Sequence, residues 1–322
     1  MIRVLDGGMA VSVQDRGRFG LRRYGVPLSG ALDPLRLAAA NLLLGNDEGA
    51  AGLEILMLGP TLTAERSVGV ALAGDLGATI DGNPLPAWQA APLEAGATLK
   101  IKAGFGYLAL SGGITCQEML GSRSTYRRAG LGRAVQAGDL LPCGPLGTLA
   151  ASRPWIDLEG PIRLLAGPQA DHFTPESLAA LVAAPYQVAA DSDRMGLRLN
   201  GAALAHNDKG ADILSDGVLP GVIQVPAGGQ PILLMADAQT SGGYAKIATV
   251  IAADMPRLGR LRAGDKVQFA WSDLATARKA LAAQQAAFTL WRRQIGQMPG
   301  QIDQQALYQH NLISGASAGE DP

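Results

Sequence analysis

The feature that most constrains this chain is the shortness of its apolar runs. Leu53–Leu58, Val68–Ala73, Thr98–Lys102, Tyr107–Ser111, Ile162–Ala166, Ile232–Met235, Ile247–Ala252 and Lys266–Ala270 are each too short for a helix, and turn residues bound most of them. With 42 Gly and 19 Pro in 322 residues, the pattern predicts many turns and a strand-rich, mainly β fold. Hydrophobic residues make up 48% and charged residues 17%, ample for a large interior. A chain of this length predicts two domains of about 150 residues each.

Four segments break the strand pattern with helix signals. Asp33-Pro34 serves as cap and first helical residue before LRLAAANLLL, and Gly45 fits the stop. Thr115-Cys-Gln-Glu118 has capping-box spacing and predicts a turn or two of helix ending at Gly121. Thr174-Pro175-Glu176 opens a third helix, through about Ala184. Ser272 caps the longest, with Leu274, Ala277, Leu281, Phe288, Trp291 and Ile295 on one stripe that would pack on the barrel or on a partner chain. The polar tail beyond Gly296 is expected to be loosely ordered unless a partner holds it.

A faint repeat links the halves. Gly132-Arg133 and Ala137-Gly138-Asp139-Leu140 resemble Gly259-Arg260 and Ala263-Gly264-Asp265-Lys266, and Met57-Leu-Gly-Pro60 is echoed by Leu165-Ala-Gly-Pro168. With 148–160 as the linker, the expected division is 1–150, 151–271 and a C-terminal helix and tail over 272–322.

Composition removes several function classes. The formal charge of −1 leaves no nucleic-acid footprint. No apolar run approaches the roughly 20 residues of a membrane span, and MIRVLDGG lacks a signal-peptide pattern. Cys116 and Cys143 suit neither a zinc site nor a disulfide framework, so a cytoplasmic protein with two plain thiols is expected. His172, His206 and His310 show no metal spacing, and no Gly-x-Ser-x-Gly elbow or Gly-Lys-Ser/Thr phosphate loop occurs.

Four polar clusters remain. In Ser12-Val-Gln14-Asp15-Arg16-Gly17-Arg18, Arg18 could hold a carboxylate that Gln14 and Ser29 orient; alternatively the loop is a structural turn in which Asp15 pairs with Arg18. Ser122, Arg123 and Ser124, behind Gly112-Gly113, suit an oxyanion or phosphate cradle, or an arginine-capped turn. In Asp191-Ser-Asp193-Arg194, Arg194 is either a local partner of Asp193 or, facing a pocket, an anion clamp. Last, Gln224 alternates with Ile223 and Val225 on a strand and precedes ADAQTSGGYAKIATV. There Asp237, Gln239, Thr240, Gly242, Gly243, Tyr244 and Lys246 make either an amide-recognising pocket or an ordinary polar connection. Lys246 is the best candidate for a tuned base or cation.

QDRGRFG…GVPLSGALD, LALSGG…LGSRST, SDRMGLRL and QVPAGGQPILLMADAQTSGGYAKIATVIAAD occur in this order, and over roughly 1–270 the chain resembles the biotin-dependent carboxyltransferase subdomain A/B family, also called allophanate hydrolase subunit 2. Departures are small: Phe19, Ala227 and Ala245 stand where Pro is common, and Ser241 where Thr is frequent. The resemblance implies two cyclophilin-like β-barrel domains with a few short helices. It also implies two partners: a protein with subdomains C and D, like the B component of 5-oxoprolinase, and an amidohydrolase-like A component. Such hetero-oligomers form an ATP-dependent 5-oxoprolinase, a hydrolase that opens 5-oxo-L-proline to L-glutamate, and this chain would be inactive alone.

In that scheme Asp237, Tyr244 and Lys246 act on the amide, Gln224, Gln239 and Thr240 bind it, and the Gly242-Gly243 amides face an oxyanion. Arg123 and Arg194 would neutralise carboxylate or phosphate charge. Two alternatives stand beside it. One is carboxyl transfer from carboxybiotin to urea or a related amide, the only case in which biotin is used. The other is a non-catalytic regulator of a sensor kinase. No biotin attachment sequence of the Ala-Met-Lys-Met type and no ATP-grasp-sized region occur, so neither biotin nor ATP is expected to be bound covalently.

Overall fold

A computed structural model describes residues 1–155 and 159–296. Its strands divide between an N-terminal and a C-terminal set. In the first, Ile2–Asp6, Thr61–Ala64, Ala78–Ile80, Asn83–Leu85, Thr98–Ile101 and Leu140–Leu141 form one sheet. Met9–Gln14, Gly52–Leu58, Val68–Asp75, Ala90–Leu93 and Phe105–Leu110 form another. The chain turns the corner between them at Leu58–Pro60 and again at Ala103, where Leu58 and Ala103 bridge. Alternation drives one face inward: Val11, Leu53, Ile55, Leu62, Val70, Leu72, Leu99 and Leu108 fill the space between the sheets.

The C-terminal set is an eight-stranded sheet that nearly closes on itself. Its two edges are Lys266–Val267 and Phe269–Trp271, one stretch of chain broken only at Gln268. The first piece pairs antiparallel with Tyr186–Val188, and the second pairs parallel with Ile162–Ala166. A single segment therefore serves both edges, which removes most of the unpaired backbone an open sheet would expose. Leu164, Leu199, Ile223, Leu233, Ile247 and Phe269 fill the interior. Asp212–Gly217 and Ser241–Tyr244 form a separate two-stranded ribbon.

The eight strand-forming runs are all strands, and the mainly β fold with few helices is the one expected. The repeat has a structural basis. Gly138 N–H donates to Val4 O at 2.8 Å, and Val4 N–H donates to Asp139 O at 2.9 Å. Likewise Gly264 N–H donates to Val188 O at 2.8 Å, and Val188 N–H donates to Asp265 O at 2.9 Å. Each aspartate also accepts from the N–H three residues before it, Gln136 at 2.9 Å and Arg262 at 2.7 Å.

Three helix expectations hold in position. Pro34–Leu42 is capped by Asp33, whose Oδ1 accepts Arg36 N–H at 3.0 Å, and Thr174 caps Pro175–Ala183. The long helix is Leu274–Arg293, but its cap is Asp273 rather than Ser272: Asp273 Oδ1 accepts Thr276 N–H at 2.8 Å. A carboxylate one residue nearer the first turn is the better acceptor for that N–H. The capping box at Thr115–Glu118 forms no helix. Leu120 and Gly121 both take positive φ, and Thr115 N–H goes to Pro142 O at 2.8 Å instead. So short a segment makes too few helical bonds to repay its nucleation, and a neighbouring strand end wins.

The long helix lies against its own chain. Phe288 and Trp291 are buried with Trp88 and Trp155, and Trp291 Nε1–H donates to Arg153 O at 2.8 Å. Leu274, placed on the buried stripe by periodicity, is exposed. The expected linker is partly pinned: Ala150 N–H donates to Leu43 O and Ser152 N–H to Trp88 O. The tail beyond Gly296 lies outside the described residues.

Candidate functional site

The two sets of strands meet along a cleft of about 1140 Å³. Its floor is apolar, with Val11, Leu32, Leu56, Met195, Met235 and Leu258. Five arginines line it, Arg127, Arg128, Arg194, Arg260 and Arg262, against the two carboxylates of Asp193 and Asp237. The cleft therefore favours anionic or strongly dipolar ligands. Arg262 also stacks over the Phe105 ring at 4.7 Å, tying the two strand sets together.

At its inner end is a buried charge network. Arg194 Nε and Nη2 each donate to Asp237 at 3.0 Å, and Nη2 also donates to Gly30 O at 2.6 Å. Its Nη1 pairs with Glu54. Glu54 Oε2 accepts from Tyr107 Oη–H at 2.7 Å and Leu32 N–H at 2.8 Å, and Tyr107 Oη accepts Asp33 N–H at 2.8 Å. Burial opposes the Arg194 charge, yet Glu54 and Asp237 outweigh it and hold the group firmly protonated. Burial, then the Glu54 and Asp33 charges, push the Tyr107 phenol well above its ordinary value, so it stays a donor. Arg194 is thus a clamp across the two strand sets and not a local partner of Asp193, which bonds Met195 and Gly196 N–H instead.

A second group forms around Asp15. Its carboxylate accepts from Ser122 Oγ–H at 2.6 Å, Ser124 Oγ–H, Arg123 N–H at 2.6 Å and Gly17 N–H at 2.8 Å. Burial alone would raise this carboxyl; the four donors overcome that and hold it below the usual aspartate value. Ser122 and Ser124 are therefore occupied by Asp15. The Arg123 side chain reaches Cys116 O at 3.0 Å and Glu118 at 3.3 Å. Arg18 does not pair with Asp15: its Nε donates to Met119 O at 3.2 Å and its Nη2 to Ser124 O at 2.6 Å. Gly112, with φ +71°, lies 3.0 Å from Gly144 Cα (measured from the Cβ it lacks), so the close approach there is to the chain's own backbone.

The expectation of one pocket wall over 224–246 divides in space. Asp237 faces the cleft. Gln239 and Tyr244 are exposed, and Thr240 is half-buried. Gln224 is buried, and its Nε2 donates to Tyr244 O at 3.2 Å. Gly242 lies so close above it that a Cβ would come within 2.7 Å of that nitrogen, which explains the glycine. Gly242 sits opposite Asp216 in the ribbon, with Gly243 the next residue along. Lys246 is buried, its ammonium held by Asp216 and by Gly217 O at 3.2 Å. Of the residues singled out from sequence, Gln14, Arg194 and Asp237 line the cleft; Lys246, Gln224 and Tyr244 gather at the ribbon.

Glu54, Tyr107, Arg127, Arg128, Arg260 and Arg262 escaped the sequence reading. Glu54 did leave a signal: a lone carboxylate inside the apolar strand GLEILML must find a partner once buried. The arginines left none, since isolated arginines are ordinary surface residues. His172 and His206 bond Gly210 O and Val225 O, and both cysteines are free. Among the described residues no cluster of three or more His, Cys, Asp or Glu could hold a metal, and no helix is long and apolar enough to cross a membrane.

A strand-rich chain with few helices and a nearly closed barrel sheet has the build of a carboxyltransferase domain. Residues 24–271 match the family described as carboxyltransferase domain, subdomain A and B, and the chain belongs to it, as its four motifs led us to expect. It is 39% identical over 311 residues to the C subunit of 5-oxoprolinase from Escherichia coli K12, covering 91% of this chain and 98% of that one. The solved structure of TTHA0988 is similar with a TM-score of 0.74 at 37% identity, over 84% of this chain and 55% of that one. The Kluyveromyces lactis urea carboxylase structure superposes with a TM-score of 0.81 at 26% identity, over 90% of this chain. The chain spans only a little over half of TTHA0988 and 29% of the urea carboxylase.

Proposed function

We propose that the chain is a cytoplasmic subunit of an ATP-dependent 5-oxoprolinase-type complex. The complex converts 5-oxo-L-proline and water to L-glutamate at the expense of ATP. It would act with a partner that holds subdomains C and D and with an amidohydrolase-like partner. The observation that carries this reading is the end-to-end likeness to the E. coli 5-oxoprolinase C subunit, which it covers over 98% of its length. The cleft is consistent with it: Gln14 brings an amide to its lining, and Arg127, Arg128, Arg260 and Arg262 bring positive charge suited to a small anionic lactam. The roles of Tyr244 and Lys246 on the substrate belong to the same proposal.

Carboxyl transfer to urea or a related amide is the second reading, favoured by the TM-score of 0.81 to a urea carboxylase. Co-expression with the neighbouring subunits, followed by ATP hydrolysis assays with 5-oxoproline and with urea, separates the two. ATP turnover that depends on 5-oxoproline, in a complex negative on an avidin blot, is expected; urea-dependent turnover in an avidin-positive complex supports the second reading instead. Lys246→Ala should cost at least about 100-fold in kcat/KM if its ammonium acts on substrate. Unchanged turnover removes it from the mechanism.

A further inference from the structure

A short turn at Arg22–Tyr24 in the N-terminal set and the two-stranded ribbon of the C-terminal set are tied to one another. Arg22 Nη2 donates to Val218 O and, at 3.2 Å, to Gln239 O. Val218 N–H donates in turn to Thr240 O at 3.1 Å, extending the ribbon by one bond past its last pair, Gly217 with Ser241. Around this junction Phe19, Tyr24, Leu214, Leu219 and Tyr244 are all exposed, Leu214 to 94%, Phe19 to 68% and Tyr24 to 67%. Among the described residues only four aromatic side chains are exposed, and three of them are here; Trp271 is the fourth. Aromatic side chains gathered on one stretch of surface are the compositional mark of an interface core.

The ribbon is built to present its leucine. Asp212 pairs with Tyr244 and Asp216 with Gly242, so Ile213, Leu214 and Ser215 stand against Gly243 alone. The surplus residues make a bulge, which re-aims side chains. Ile213 turns inward and packs on the second core, while Leu214 points into solvent. Two strands on their own make a marginal sheet, and this ribbon leaves most of its residues exposed. The charges beside the patch differ in sign: Arg23, whose guanidinium lies 4.7 Å over the Tyr24 ring, is exposed at the turn, and Asp212 is exposed on the ribbon.

Length supplies an independent observation. The match to TTHA0988 takes in 84% of this chain but only 55% of that one, so TTHA0988 carries on one polypeptide a large part that this chain lacks. We infer that the junction of the Arg22–Tyr24 turn with the ribbon is the docking surface for a separate folded protein, the one that stands where TTHA0988 continues beyond the match. That protein presents an apolar socket to Leu214, Phe19 and Tyr24, an acidic group to Arg23 and a basic group to Asp212. Asp212 and Asp216 flank Leu214 and would repel an anionic lipid surface. Because the turn and the ribbon come from different strand sets, the docked protein braces the seam two residues from Asp237. The surface rests on the proposed function only for the choice of probe, the neighbouring subunits.

The full chain, purified alone, is titrated with its neighbouring subunits by calorimetry, and assembly is checked by size-exclusion chromatography. Leu214→Asp should weaken assembly about 100-fold and Phe19→Ser about tenfold. Leu290→Ser, on the exposed side of the long helix, should bind as wild type. Leu214→Asp should keep the melting temperature of the isolated chain, since that side chain touches little of its own protein; if it does not, Phe19→Ser carries the comparison. Wild-type affinity in both the Leu214 and Phe19 variants, or weakening confined to Leu290→Ser, overturns the surface. So does a wild-type chain that binds none of its neighbours, or a self-association that Leu214→Asp disperses, which would make the occupant a second copy. A complex that assembles through Leu214 without 5-oxoproline-dependent ATP turnover upholds the surface and defeats the 5-oxoprolinase reading. Full 5-oxoproline turnover in a Leu214→Asp complex of wild-type affinity does the reverse.

Discussion

At the scale of single residues, buried charge decides most of what this molecule can do. Glu54 has no route to water and holds Arg194, Tyr107 and Leu32 N–H together. Glu54→Gln keeps the shape but removes the charge that Arg194 requires, and it should cost about 3 kcal/mol in urea denaturation. A loss under about 1 kcal/mol would mean that Asp237 alone satisfies the guanidinium. Asp15 offers a pH test. Its folded pKa lies below the unfolded value, so its contribution is complete above about pH 4 and is lost as pH falls through the depressed folded value. Asp15→Asn should flatten the acid limb of the stability curve in that window, while an unchanged limb would place the acid sensitivity elsewhere.

At the scale of elements, hydrogen-bond competition and burial explain which local signals prevailed. The caps at Asp33 and Thr174 sit beside helices of nine residues, long enough for local chemistry to decide the outcome. Thr115–Glu118 carries a comparable signal on a segment too short to benefit, and the Pro142 carbonyl captures its N–H. The long helix shows the limit of periodicity. Its stripe predicted the burial of Phe288 and Trp291, but not that they would meet Trp88 and Trp155, which lie far earlier in the chain. Trp291→Ala removes a stacked ring and the bond to Arg153 O, and it should cost about 3–5 kcal/mol by thermal or chemical denaturation. A helix used mainly as a docking surface would instead leave stability intact and weaken assembly with its partners.

For the whole molecule, the cleft exists because two separately paired sets of strands are held at a fixed angle. Arg194, the Ser29 N–H bond to Ala236 O and the Arg262–Phe105 stack are among the direct ties across it, beside Arg22 to Gln239 O and Arg128 to Asp193. Arg194→Ala leaves Glu54 and Asp237 facing each other without their cation. Chemical unfolding should then separate into two transitions, seen as non-coincident fluorescence and circular-dichroism curves. A single coincident transition, shifted but intact, would assign the coupling to the apolar contacts along the seam instead.

The sequence by itself determined the strand content, three of the helices, the repeated Gly-Asp turn and the family, because these rest on short-range alternation, capping and motif order. It also marked Gln14, Arg18 and Ser29 as a candidate anion-binding loop. Only the tertiary structure decided that Arg18 reaches two carbonyls rather than Asp15, that Arg194 spans the seam to Glu54, and that Lys246 lies at the ribbon with Asp216. The reason is physical: a buried charge or amide takes the nearest partner in space, and those partners lie from about 30 to 140 residues away along the chain.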